Sequence, residues 1–227
     1  MEDSLSPARL VAEFGGTYAR ELGIDLSQGD TVEIQKWFLA AVLFGARIST
    51  GIAVKTYLEF DRAKLVQPGQ ILDAGRARLV RTLGLGGYAR YDFKTASKLT
   101  EVSGALLRNY AGDLNVLHRD AADAADLERR IRQLGKGIGD VTVAIFLREM
   151  RGIWQKAQPL PSERTIQAAR TSGFIDADIS DKAQVLQALM TAWREDGMRA
   201  EEFPKFEVAL VRYGATLRRK RTQPAII

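Results

Sequence analysis

Apolar residues recur at helical spacing along almost the whole chain, and this periodicity is the feature that most constrains its fold. The clearest case is the segment 91–109, where apolar side chains repeat every three or four positions and share one helix face: Phe93, Ala96, Leu99, Val102 and Leu106. We find no pair of segments that alternates as neighbouring strands would. The sequence therefore predicts an all-α fold.

Further helices are predicted by the same spacing and by capping residues. They cover residues 6–22, 32–46, 49–60, 68–74, 76–83, 120–134, 142–151, 163–172, 181–194 and 203–217. The apolar stretch 37–45 is too short to span a bilayer, and we expect no membrane association. We assign its aromatic residues, Trp37, Phe38 and Phe44, to the hydrophobic core because they fall at core spacing.

The charge of the chain is distributed unevenly. It has 33 basic and 28 acidic residues, a net charge of +5. Residues 1–30 hold six carboxylates and two arginines, which leaves 31 basic and 22 acidic residues in the remainder. A basic body suits a polyanionic partner, although a basic protein without such a partner is the alternative interpretation.

Missing residue types exclude several chemistries. The chain has no cysteine, so disulfides, thiol catalysis and cysteine-ligated metal centres are excluded. The single histidine, His118, argues against serine-histidine catalysis and multi-histidine metal sites, and we interpret it as a surface or capping residue. We expect no cofactor and no metal. The absence of cysteine and of a signal-peptide pattern fits a cytoplasmic protein. As a DNA-binding protein it is expected to be a monomer associated with the nucleoid.

The most specific motif is a glycine-rich turn between two predicted helices, within residues 134–148, LGKGIGDVTVAIFLR. Gly137 and Gly139 allow a tight turn and a close approach by a partner. The next amide groups begin a helix, lack intrahelical partners and carry partial positive charge, so they attract phosphate. Lys136 adds a formal charge, and Ile138 is expected to point back and hold the two helices together.

Two features of this turn leave its role open. Glycines also end ordinary helical corners, so the motif is compatible with a purely structural turn. Asp140 places a carboxylate where a phosphate would approach, and we interpret it as an N-cap of the following helix. The predicted DNA contacts in and beside the turn are Lys136, Gly137, Ile138, Gly139, Asp140 and Thr142.

The order of these segments resembles the helix-hairpin-helix DNA glycosylase superfamily, which contains endonuclease III and the alkyladenine glycosylases. The resemblance covers residues 37 to about 221. Residues 41–47 (AVLFGAR) resemble the family's L-L-S-A-Q segment, and 134–144 resemble L-P-G-V-G-x-K-T-A. Residues 83–85 and 94–96 resemble its I-G-L-Y-N-x-K-A segment, divided by an insertion.

The departures from the family narrow the expected chemistry. Val141 occupies the position of the lysine that bifunctional members use, so lyase activity is not expected. The resemblance places Glu163 where the alkyladenine type has its catalytic aspartate, since residues 160–163 (LPSE) match L-P-D-D. A carboxylate there would stabilise positive charge on the sugar. The glutamate side chain is one methylene longer than that of aspartate, so its carboxylate is displaced by about 1 Å, which can cost roughly 100-fold in rate. Alternatively, Ser162 caps a helix and Glu163 complements its dipole.

Further candidate DNA contacts lie outside the turn. The resemblance gives Arg47 the role of the polar residue that fills the gap left by a flipped base, although a surface arginine at a helix end is the alternative. Tyr88 and Tyr91 are candidates for a base pocket or for stacking. The basic run 218–221 is either a solvated tail or a salt-sensitive contact.

These observations predict two helical lobes, one formed by residues 31–149 and the other by 1–30 together with 150–227. The leading hypothesis is a monofunctional DNA N-glycosylase of base-excision repair that acts on double-stranded DNA with a flipped or damaged base. The second is a non-catalytic DNA-binding module that retains the glycosylase fold. The third is a protein-interaction domain in which the glycine turn is only structural.

Overall fold

The predicted all-α class is confirmed. The computed structural model describes the backbone of residues 5–222 and the side chains of residues 5–217, and this part of the chain contains helices and loops but no strands. The α-helices are α1 Pro7–Phe14, α2 Tyr18–Glu21, α3 Thr31–Phe44, α4 Thr50–Arg62, α5 Pro68–Leu85, α6 Asp92–Tyr110, α7 Leu114–Asp120, α8 Ala124–Arg132, α9 Asp140–Met150, α10 Glu163–Thr171, α11 Lys182–Glu195 and α12 Phe203–Thr222. Within these residues no helix is long and apolar enough to cross a membrane.

The chain divides into two compact units. The hairpin unit runs from Leu22 to Gln158, and the terminal unit takes the chain up to Glu21 and from Pro159 onward. The hairpin unit extends beyond residues 31–149 because Asn115 holds both of its flanking loops. The Asn115 amide donates to the Gly29 carbonyl at 3.0 Å and accepts from the Trp154 indole at 2.9 Å.

Helix α3 lies at the centre of the hairpin unit. Most of its residues are buried because, from Trp37 onward, it is apolar on all sides, as expected for a core helix. The Trp37 indole donates to the Phe146 carbonyl at 3.1 Å, and the Phe38 ring contacts the Phe146 ring edge-on at 5.0 Å. Trp37 and Phe38 are thus core residues, as predicted, and they hold α9 against α3.

Two helix boundaries show how local chemistry sets the fold. Gly75 has a φ of 67°, so α5 consists of two helical pieces joined by a kink, in agreement with the two helices predicted there. The helix predicted over 120–134 is present as α8, but it is shorter and runs from Ala124 to Arg132. It begins late because α7 ends at Asp120 and the Asp123 side chain, which accepts from the Asp126 amide at 2.8 Å, caps the start of α8.

The terminal unit has its own aromatic core. Trp193 stacks on Phe206 with ring centroids 5.6 Å apart, and both side chains are buried. Arg212 of α12 reaches the N-terminal segment, donating to the Phe14 carbonyl at 2.7 Å and to Glu21 at 2.6 Å. These contacts fasten α1 and α2 to α12.

Candidate nucleic-acid interface

The glycine turn between α8 and α9 has the conformation that its sequence requires. Gly137 has a φ of +88°, a region that residues with a side chain rarely adopt. Ile138 is 5% exposed, so it points inward and packs beneath the turn, as predicted. Lys136, Gly137 and Gly139 are exposed. A buried apolar residue therefore holds a turn whose backbone faces outward.

The start of α9 corrects the interpretation of Asp140. Gly139 is the N-cap residue and Asp140 is the first residue of the helix, so Asp140 does not cap it. The Asp140 side chain is 89% exposed and forms an ion pair with Arg132 at 2.8 Å. The positive charge of Arg132 therefore partly offsets the negative charge of Asp140. Among the described residues, no side chain caps the start of α9, so its first amides keep the partial positive charge of a helix N-terminus.

Thr142 has a packing role. It is 3% exposed, which excludes its side chain from the predicted DNA contact. It lies against Gly45 so closely that a Cβ on Gly45 would be 2.1 Å from Thr142 Oγ1 and 3.2 Å from its Cα. The preceding residue, Val141, is 63% exposed. The contact between Gly45 and Thr142 therefore fixes the beginning of α9 against the end of α3.

The turn also rests on α6. The Lys136 amide donates to Glu101 Oε1 at 3.0 Å. A Cβ on Gly135 would lie 2.7 Å from Val102 Cγ2, and one on Gly137 would lie 3.0 Å from Lys98 Cε. Close packing against Val102 thus favours glycine at 135, the positive φ favours it at 137, and the three contacts place the turn along one face of α6.

A cavity of about 810 Å³ opens beside this turn. It is lined by residues 45–47 just after α3, Arg76 of α5, the loop before α6, the first half of α6 and the turn itself. Glu101 is its single lining carboxylate among the described residues, and that carboxylate already accepts from the Lys136 amide. The cavity has five basic lining residues: Arg47, Arg76, Lys94, Lys98 and Lys136.

The basic side chains of the cavity differ from those elsewhere in the protein. None of the five forms an ion pair with another residue that the structure describes, whereas seven arginines outside the cavity have carboxylate partners. Unpaired cations gathered in one concave site raise the local positive potential. The cavity is therefore suited to an anion.

Two lining side chains carry polar groups without a partner. Tyr88 is 1% exposed, and its enclosed hydroxyl has no partner of hydrogen-bond distance and angle among the described residues. Burial raises the pKa of this phenol, while the nearby Thr95 side chain acts as a hydrogen-bonding neighbour that lowers the pKa by less, so the phenol keeps its proton and remains a donor. Lys98 is half-buried, and burial lowers the pKa of its ammonium group. The Tyr88 hydroxyl is enclosed, so the group available to a ligand is the unpaired ammonium of Lys98, which favours a ligand that accepts hydrogen bonds.

The aromatic residues Tyr91 and Phe93 line the cavity. Phe93 is 58% exposed, and the Arg76 guanidinium lies 5.4 Å from the centre of its ring. Tyr91 is half-buried, and the Arg90 guanidinium lies 5.5 Å from the centre of its ring. Exposed aromatic faces next to arginines can stack on nucleic-acid bases.

The structure brings together residues that the sequence proposed separately. Arg47, Lys136 and Gly137 line the same cavity, and so do Tyr88 and Tyr91. Lys94 and Lys98 were not predicted as site residues from the sequence. A detectable signal was present, because residues four positions apart share a helix face, and these two lie on the face of α6 that meets the turn.

Glu163 belongs to the terminal unit and has the environment of a surface residue. Its side chain is 79% exposed and forms an ion pair with Lys182 at 2.7 Å. Ser162 caps α10 by accepting from the Thr165 amide, and Glu163 is the first residue of that helix. The hydrogen bond from Lys182 lowers the pKa of Glu163, so this carboxylate is ionised at neutral pH.

His118 lies inside α7, whose caps are Asp113 and Ala121, so it is not a capping residue. It is half-buried and stacks on Trp154 with ring centroids 4.8 Å apart. The basic run 218–221 lies outside the residues whose side chains are described. In the described part of the chain, histidine and carboxylate side chains form no group that could hold a metal ion.

Comparison with known proteins gave no matching family model and no curated protein of significant sequence similarity.

Proposed function

We propose that this protein binds double-stranded DNA, with the glycine turn before α9 contacting the phosphate backbone. The observation that carries this proposal is the exposed backbone at Gly137 and Gly139, which leads into a helix start without a side-chain cap. Such a start offers amide donors and partial positive charge to a phosphate. Lys136 and the unpaired cations of the neighbouring cavity extend the positive surface.

The electrostatics of the turn favour this proposal over a purely structural corner. An ordinary corner needs glycine for its conformation, but it does not need five unpaired cations beside it. Those cations repel one another in the free protein, and a polyanion relieves this repulsion. The carboxylates nearest to the turn, Asp140 and Glu101, are engaged by Arg132 and by the Lys136 amide.

The salt dependence of binding to a labelled, fully paired duplex tests the proposal. Binding should weaken steeply with added salt, because each neutralised phosphate releases counterions. Replacing Lys136 by alanine should weaken binding to every sequence and reduce the log–log salt slope by about 1. Undetectable or salt-independent binding by the wild-type protein would contradict the proposal.

A matched control separates a specific contact from a general loss of charge. Arg62 is exposed, does not line the cavity and forms an ion pair with Glu59 on its own helix. The Arg62→Ala variant loses the same formal charge as Lys136→Ala. Equal losses of affinity in both variants would indicate non-specific attraction and would refute the role of the turn.

A second proposal is that the protein is a monofunctional DNA N-glycosylase with Glu163 as its carboxylate. The exposure of the Glu163 carboxylate supports it, because an ionised carboxylate that is open to solvent can stabilise positive charge on a sugar. Release of uracil, alkylated and oxidised bases from duplexes should then be measured for the wild-type protein and for Glu163→Gln. If base release persists undiminished in Glu163→Gln, Glu163 is not catalytic. If DNA binds but no base is released, the non-catalytic module is the better description.

A further inference from the structure

We propose that Lys98 is a site of acylation by an acyl phosphate, and that its acylation weakens phosphate binding at the glycine turn. The modification itself goes beyond the proposed function and requires no DNA, whereas its effect on binding rests on the proposed function. The proposal is carried by the unpaired amine of Lys98, by its place in a cationic cavity and by its position against Gly137.

Lys98 has no charge partner although a carboxylate is close to it. Glu101 follows it by three residues on α6, a spacing at which oppositely charged side chains commonly pair. Glu101 instead accepts from the Lys136 amide at 3.0 Å, and Lys98 forms no ion pair with another described residue. The other charged residues that line the cavity are all basic: Arg47, Arg76, Lys94 and Lys136. Their charge disfavours a proton on Lys98.

This environment makes the Lys98 amine a nucleophile. Lys98 is half-buried, and burial lowers the pKa of its ammonium group. A larger share of the amine is therefore unprotonated at neutral pH, and the unprotonated amine is the form that attacks a carbonyl carbon. Lysine side chains that are desolvated or lie next to other cations are activated in this way.

The cavity favours an anionic acyl donor. Its unpaired cations raise the local concentration of anions, and its volume of about 810 Å³ has room for a molecule as small as acetyl phosphate. The Lys98 nitrogen forms a bond to the acyl carbon, and the bond between that carbon and the phosphate oxygen breaks. Inorganic phosphate leaves with the electron pair, and the nitrogen releases one proton to water. The neighbouring cations stabilise the charge of the leaving phosphate.

Acylation affects the turn because Lys98 lies against it. A Cβ on Gly137 would lie 3.5 Å from Lys98 Nζ, so the ammonium group is next to the exposed backbone of the turn. Acylation converts this cation into a neutral amide. A phosphate at the turn then loses one positive neighbour.

The site is tested by incubation with acetyl phosphate, followed by mass spectrometry of each lysine peptide over time. At low salt, Lys98 should be acetylated roughly tenfold faster than Lys55, the lower end of the enhancement that a charged cleft gives to an ion. Lys55 is exposed on α4 and does not line the cavity. Lys94 lines the cavity but is exposed, so it should react more slowly than Lys98. A rate at Lys98 equal to that at Lys55 or Lys94 would overturn the proposal.

Two further arms test recruitment of the donor by the cavity. Inorganic phosphate should slow acetylation of Lys98 more than sodium chloride of the same ionic strength does, because phosphate competes for the same cations. Phenyl acetate is an uncharged acyl donor, so with it the advantage of Lys98 over Lys55 should shrink. An advantage that inorganic phosphate does not reduce, and that is equally large with phenyl acetate, would contradict recruitment by the cavity.

The effect on DNA is measured with a labelled, fully paired duplex by fluorescence anisotropy. Lys98→Gln imitates the loss of charge and should reduce the log–log salt slope by about 1. Lys55→Gln loses the same formal charge outside the cavity and should bind as the wild type does. Lys98→Arg keeps the charge but removes the amine. A short treatment with acetyl phosphate should therefore weaken binding by the wild type and leave Lys98→Arg unaffected.

The outcomes distinguish this proposal from the proposed function. Fast acetylation of Lys98 without any change in duplex affinity would overturn the effect on the turn, while DNA binding stands. If the untreated protein binds no duplex at any salt concentration, the proposed function and the effect on the turn are both wrong. The ratio of the acetylation rates at Lys98 and Lys55 still decides the acylation site in that case, because it is measured without DNA.

Discussion

The packing of Gly45 against Thr142 yields a quantitative prediction for the anchor of the glycine turn. Gly45 has a φ of −68°, which alanine adopts without strain, so any cost of Gly45→Ala arises from steric contact. The new Cβ would lie 2.1 Å from Thr142 Oγ1, 3.1 Å from its Cβ and 3.2 Å from its Cα. Overpacking of this kind should cost about 2 kcal/mol of unfolding free energy.

Thr142→Ala should relieve only part of this cost. It removes the 2.1 Å contact, but the contacts with Cβ and Cα remain. The free energy of unfolding lost in the double variant should therefore be about 1 kcal/mol smaller than the sum of the losses in the two single variants. Urea unfolding of the wild-type protein, both single variants and the double variant measures this coupling.

Gly51→Ala is the control for the effect of replacing a glycine. Gly51 lies in α4 with nothing within 4 Å of an added Cβ, so alanine there should leave stability unchanged or raise it by up to about 1 kcal/mol. A Gly45→Ala protein as stable as the wild type, or additive effects of the two single changes, would contradict a steric contact between Gly45 and Thr142.

Two further predictions concern the turn and the helix before it. Gly137→Ala should lower the unfolding free energy by about 1 kcal/mol, because alanine at a φ of +88° is strained, and thermal unfolding checks this. The hydrogen bond from Arg130 holds the pKa of Asp126 at about 2, below its ordinary value of 3.8. A lowered pKa stabilises the folded state above pH 4, and this stabilisation disappears as the pH falls toward 2. Asp126→Asn should therefore be less stable than the wild type at pH 7, and the difference should shrink between pH 4 and pH 2. A difference that stays constant over that window would contradict the assignment.

Much of the helical framework is predictable from the sequence because its determinants are local. Apolar spacing locates α6, and the all-round apolar composition of α3 indicates a core helix. Gly75 marks the break between the two pieces of α5, since a positive φ suits glycine. By contrast, the apolar pattern runs on past Asp123, and only its capping hydrogen bond reveals that α8 begins there.

The candidate site was less predictable because its residues come from distant segments. Arg47, Lys94 and Lys136 lie far apart in the chain, and helix packing brings them to one cavity. Burial is equally hidden from the sequence. Thr142 has the polar character of a residue that faces a ligand, but it is enclosed by its contact with Gly45. The missing hydrogen-bond partner of Tyr88 among the described residues likewise depends on which side chains surround it in three dimensions.

The affinity of Gly139→Ala for a fully paired duplex tests most directly whether the backbone of the turn contacts phosphate. Gly139 has an ordinary φ of −104°, and an added Cβ would have nothing within 4 Å, so the variant should fold with a stability close to that of the wild type. The methyl group would stand where a phosphate approaches the first amides of α9, and it changes no charge. We predict that affinity for the duplex falls roughly tenfold, a change of about 1.4 kcal/mol. Unchanged affinity in a folded Gly139→Ala protein would contradict the proposed backbone contact.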